Sequence, residues 1–97
     1  MRRAYILIYS STTGGRETVR KWANKDPNVL TWRFDMPNSF YLISESTADD
    51  LAKSLRAFTG PRGRFLIAEL GENRQGWLPP ATWYLLKNKA NKPKKDD

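Results

Sequence analysis

The 97 residues suffice for one domain and exclude a second; the last eleven or so look unlikely to pack, which leaves about 86 for a single modest core. With no Cys and no His, disulfides and thiolate metal sites are excluded, and the commonest general base is missing, which closes off most hydrolase mechanisms. The net charge is +7: residues 1–86 carry twelve Lys and Arg against eight acids, and residues 87–97 carry five against two, a balance that fits plain solubility as well as a nucleic-acid footprint.

The first strand, Tyr5-Ile6-Leu7-Ile8-Tyr9, is apolar on both faces and belongs in the middle of a sheet. Its apolar run, Ala4 to Tyr9, is far too short for a signal h-region or a membrane span, so a cytoplasmic protein without a membrane partner is expected. Ser10-Ser11-Thr12-Thr13-Gly14-Gly15 makes a loop, and Arg16 to Asn24 a helix with Val19, Trp22 and Ala23 on its apolar side and Arg16, Arg20 and Lys21 toward water. Asp26-Pro27-Asn28 turns the chain. The next strand alternates, with Leu30, Trp32 and Phe34 on one face and Val29, Thr31 and Arg33 on the other.

Asp35-Met36-Pro37-Asn38 forms a hairpin loop, too short for a crossover, so Ser39 to Ser44 returns antiparallel. Ser46 with Asp49, or Thr47 with Asp50, caps a second helix whose stripe is Ala48, Leu51, Ala52, Leu55 and Phe58; Gly60-Pro61 stops it. Arg62-Gly63-Arg64 leads into a fourth strand, Phe65 to Leu70. After a polar loop, Pro80 opens a short helix, Ala81 to about Asn88, which makes Trp77, Trp83 and Leu86 available to pack on the sheet. The order strand, helix, strand, strand, helix, strand predicts an α+β, ferredoxin-like βαββαβ sandwich: a four-stranded antiparallel sheet, two helices on one face and a short C-terminal helix. Residues 1–88 form that domain, and 89–97 read as a disordered basic tail.

The hydroxyl and glycine loop at 10–15 lies where backbone amides cradle a phosphate, but it has neither the Walker nor the dinucleotide spacing, and an ordinary loop explains it as well. Asp35, Glu45, Asp49, Asp50, Glu69 and Glu72 are dispersed and have no metal-ligand spacing. The basic residues Arg2, Arg3, Arg16, Arg20, Lys21, Arg62, Arg64, Lys87 and Lys89 are the candidates for following a phosphate backbone. Tyr5, Tyr9, Trp32, Tyr41, Trp77 and Trp83 are more than one small core readily buries, and they are the candidates for a dimer interface, with Tyr5, Tyr9, Trp32 and Tyr41 open to core or interface. RNA-recognition domains of the same topology stack bases on such rings, although Gly63-Arg64-Phe65 is all that stands here of their aromatic motif.

Across residues 4–88 the assembled pattern resembles the SinR-like and small CRISPR-associated ferredoxin-like family, which includes the spacer-integration subunit. The carriers are the Tyr5 to Tyr9 strand, the Trp32 strand followed by Asn38-Ser39-Phe40-Tyr41-Leu42, the Phe65 to Leu70 strand, and Gly76-Trp77 before the Trp-bearing last helix. The resemblance implies the fold and a homodimer. The nuclease chemistry proposed in that family uses an Asp at the end of the first strand, where this chain has Tyr9-Ser10-Ser11, so no catalytic residue carries over. A non-enzymatic, dimeric module binding DNA or RNA without a cofactor is the leading expectation. A metal-dependent endoribonuclease or toxin and a protein–protein adaptor are the alternatives.

Overall fold

The computed structural model describes residues 1–91 as an α+β fold, one four-stranded antiparallel sheet with three α-helices. Along the chain come β1 (Arg3–Tyr9), a 3-10 turn (Ser11–Thr13), α1 (Gly15–Lys25), β2 (Thr31–Arg33), β3 (Ser39–Ser44), α2 (Ala48–Thr59), β4 (Phe65–Glu69) and α3 (Pro80–Asn88). The strand order is β2-β3-β1-β4. β1 is thus central, with Leu7 opposite Phe40 of β3 on one side and Ile67 of β4 on the other.

Because side chains alternate across a strand, the two-sided apolar pattern of β1 demands cover on both faces. On one face Tyr5, Leu7 and Tyr9 join Phe40, Leu42 and Ile67 beneath Val19, Trp22 and Ala23 of α1 and Leu51 and Leu55 of α2. On the other, Ala4, Tyr41 and Ile43 pack against Leu85 and Leu86 of α3, with Ile6, Leu70, Leu78 and Trp83 around them. Each large side chain buried this way stabilises the fold by about 1.5–3 kcal/mol. The second face is therefore not free for self-association over its whole width: α3 occupies the half nearest the start of β1.

The helix ends obey local chemistry. Thr47 caps α2 by accepting from the Asp50 amide at 3.1 Å, so the second of the two capping registers is used, and Asp49 and Asp50 face the positive end of the helix dipole. Lys89, expected to begin the tail, instead closes α3 in left-handed geometry, its amide donating to the Leu85 carbonyl at 2.7 Å. Residues 92–97, the rest of that expected tail, lie outside the described residues.

β2 is shorter than its alternating pattern implies. Asp26 is buried at the end of α1 and its carboxylate accepts from the Asn28 amide at 2.8 Å, which turns the chain so that Val29 enters the core beside Trp22. Val29 thus shares the core of Trp32 instead of opposing it, and Leu30 is left exposed.

Two polar ties pin the layers. The Trp22 indole donates to Ser54 at 3.0 Å and the Ser54 hydroxyl donates to Asp26, joining α1 to α2. On the opposite face the fully buried Thr82 of α3 accepts from Arg33 Nε at 2.6 Å and donates to Asp35, which also faces Arg33 at 3.4 Å. Replacing Thr82 by Val leaves Arg33 and Asp35 without their common partner, so urea unfolding should show a loss of about 1–3 kcal/mol; an unchanged midpoint would mean that the tie contributes nothing.

Tyr41, buried beside this tie, has its phenol pKa pushed up by burial and then by the nearby Asp35 charge. The neutral phenol is the form the fold favours, so this stabilisation is complete below the unfolded value of about 10 and is lost as pH rises through the folded value. Tyr41→Phe should flatten the alkaline limb of a stability-versus-pH curve; parallel limbs for the two proteins would refute the linkage.

Candidate nucleic-acid interface

The hydroxyl loop after β1 serves first as a latch. The Ser10 amide donates to the Arg64 carbonyl at 3.0 Å, and the Arg64 amide donates to Thr12 Oγ1 at 3.0 Å, so residues 10–13 and 62–64 are stitched side by side. Thr13 is buried, with its hydroxyl on the Ser10 carbonyl at 2.8 Å. Gly63 lets the two segments approach closely, because a Cβ would lie 2.8 Å from Thr59 Oγ1 and 3.3 Å from Thr13 Cγ2 and push those side chains aside. Gly14 makes the turn into α1 at φ 98°, with no side-chain cap behind it. These bonds account for much of the hydroxyl loop's composition in structural terms.

The latch brings some of the basic candidates together and leaves others apart. Arg62 and Arg64 are exposed beside the start of β4, and Arg16 rises from the first turn of α1 to lie 4.5 Å over the Phe34 ring. Arg2, Arg3, Lys87 and Lys89 gather at the opposite end of β1, where Arg2 Nη1 donates to the Lys89 carbonyl at 3.1 Å. The seven-residue β1 spans about 20 Å between the two groups. Arg20 is paired with Glu17 at 3.3 Å on the outer side of α1, and Lys21 is exposed there.

Two cations absent from the sequence-based candidates complete the group at the latch. Lys53 and Arg56 stand three residues apart on the exposed side of α2 and, with Ala52, Gly63, Arg64 and Phe65, line a cleft of about 390 Å³. The signal was their i, i+3 spacing on a helix whose opposite side is apolar. The Asp49 carboxylate, hydrogen-bonded to Lys53 at 2.9 Å, pushes the lysine pKa up and keeps it charged. No carboxylate among the described residues lines the cleft itself.

The aromatic candidates for a dimer interface divide differently. Tyr5, Tyr9 and Tyr41 are at most 4 % exposed and belong to the core of the single chain, which corrects their assignment to an interface. The Tyr5 hydroxyl donates to the Ser46 carbonyl at 2.6 Å, and the Tyr9 ring tilts against Phe40. Trp32 is half-buried, stacked on Phe34 and donating to Asn24 at 2.8 Å, while Trp83 is half-buried against the α3 side of the sheet. Trp77 alone of the six is fully exposed.

A second cavity, of about 360 Å³, lies between the end of α1 and α2, but its polar groups Trp22, Ser54 and Asp26 are bonded to one another. Among the described residues no group of three or more Asp, Glu, His or Cys is placed to hold a metal ion, and no helix is long and apolar enough to cross a membrane. No protein-family model, curated protein or solved structure matches the chain.

Proposed function

We propose that this chain is a non-enzymatic nucleic-acid-binding module, homodimeric and ferredoxin-like, related to the SinR-like and small CRISPR-associated family. The strand order β2-β3-β1-β4, with α1 and α2 packed on one face, supports the ferredoxin-like assignment. The observation that carries the function is the cleft beside β4, where Lys53, Arg56 and Arg64 converge, with Arg62 two residues before Arg64 and no acid among the described residues that line it. Such a cluster, on a chain of net charge +7, recognises phosphates, and the hydroxyl latch fixes the backbone that presents Arg62 and Arg64. The homodimer belongs to the same proposal; with the three tyrosines in the core, the half-buried Trp32 beside Phe34 is its aromatic candidate, and light scattering reads it directly.

The test is a filter-binding series across salt with DNA and RNA. Neutralising Arg56 and Arg64 together, as Arg56→Gln and Arg64→Gln, should weaken binding to any sequence and lower the slope of log affinity against log salt by about 2. The same substitutions at Arg2 and Arg3 should change the slope less. Equal retention of nucleic acid by the Arg56 and Arg64 variant would overturn the assignment.

A further inference from the structure

Four large apolar side chains remain exposed on the α3 face of the sheet or along its rim: Ile8 at 48 %, Met36 at 45 %, Leu66 at 63 % and Trp77 at 101 %. Ile8 and Leu66 are direct cross-strand partners on the half that α3 leaves uncovered. Met36 and Trp77 line a groove of about 270 Å³ whose floor includes Tyr41 and Trp83, and into which Arg74 also projects. Arg74 Nη1 is held by the Gly71 carbonyl at 2.6 Å, yet its Nε is closed off from water with no acceptor. The groove thus combines an unpacked indole, an apolar floor and a guanidinium fixed by the Gly71 carbonyl, and no carboxylate among the described residues lines it.

We propose that this groove takes an unpaired base of single-stranded nucleic acid, the base stacking on Trp77 and an oxygen of the nucleotide accepting from Arg74. The inference rests on the nucleic-acid reading above and names the substrate class for it. Its volume lies below the roughly 300–1,000 Å³ of sites that take drug-sized ligands, which suits one base. Charge complementarity selects the occupant. Arg64 at the start of β4 and Arg74 beyond its end frame the exposed Leu66, an alternation of cation and apolar surface that matches a strand of phosphates and splayed bases. A duplex keeps its bases paired and stacked and offers none to the groove, whereas a single strand presents both phosphates and free base faces.

The experiment compares fluorescence anisotropy of labelled single-stranded RNA and DNA with that of duplexes of the same sequence, for the intact chain and for Trp77→Ala, Trp77→Phe and Arg74→Gln. Trp77 is fully exposed, so its removal leaves the core intact, and circular dichroism checks this. Trp77→Ala should weaken single-strand binding about tenfold while duplex binding stays within about twofold, and Trp77→Phe should recover most of the loss. Arg74→Gln should also act on the single strand. Unchanged single-strand binding in Trp77→Ala, or an equal fall for both substrates, overturns the groove while leaving the cationic cleft standing. Absence of all polynucleotide binding by the intact chain overturns both readings. A dimer that becomes a monomer on Trp77→Ala, with binding unaffected, assigns the groove to a second copy and also overturns the proposal.

Discussion

The structure depends on β1 being apolar on both faces. A strand flanked on both sides by others and greasy above and below cannot be left half covered, and this chain has only two helices between its strands, both consumed by one face. The second cover has to come from beyond β4, and α3 supplies it with Leu85, Leu86 and Trp83. With nine residues, α3 is too short to cover the whole face. The uncovered half holds Ile8 and Leu66, and the boundary between covered and uncovered surface becomes a groove.

The polar chemistry follows the same division. Burying Thr82 under α3 is tolerable because Arg33 and Asp35, on the hairpin between β2 and β3, use both its donor and its acceptor capacity. On the helical face Ser54 does the equivalent work between Trp22 and Asp26. The Ser10 to Thr13 loop, which has the composition of a phosphate cradle, is used structurally as well: Thr12 Oγ1 and the Ser10 amide bind the α2–β4 connection, and Thr13 bonds back to the Ser10 carbonyl. That bridging gives Arg64 a defined place next to Lys53 and Arg56.

Periodicity made the strands, the two long helices and the core positions Val19, Trp22, Ala23, Leu51 and Leu55 legible in the sequence, because each depends on neighbours three, four or two residues away. The inward turn of Val29 was not legible, since it follows from the Asp26 carboxylate binding a backbone amide two residues on and overriding the alternation. Nor was the choice of core over interface for Tyr5, Tyr9 and Tyr41. Twelve aromatics look excessive for one core until α3 is seen to create a second, smaller one on the far face. Of the cationic site, Arg62 and Arg64 stood out beside a glycine, whereas Lys53 and Arg56 read as an ordinary solvated helix side. Only the packing of α2 against β4 brings them to Arg64. Seven of the nine basic candidates gave no sign of falling at two ends of a strand, because that separation is a property of the sheet.

The central claim is that function sits along β4, between the cleft at its start and the groove beyond its end, and away from the basic cluster where β1 begins. The most direct measurement is a titration of nitrogen-15-labelled protein with a short single-stranded oligonucleotide, followed amide by amide. The account predicts perturbations concentrated in residues 62–66 and 74–78, with the indole signal of Trp77 among the largest shifts. Perturbations confined to Arg2, Arg3, Lys87 and Lys89, or spread evenly over every exposed cation, would contradict it.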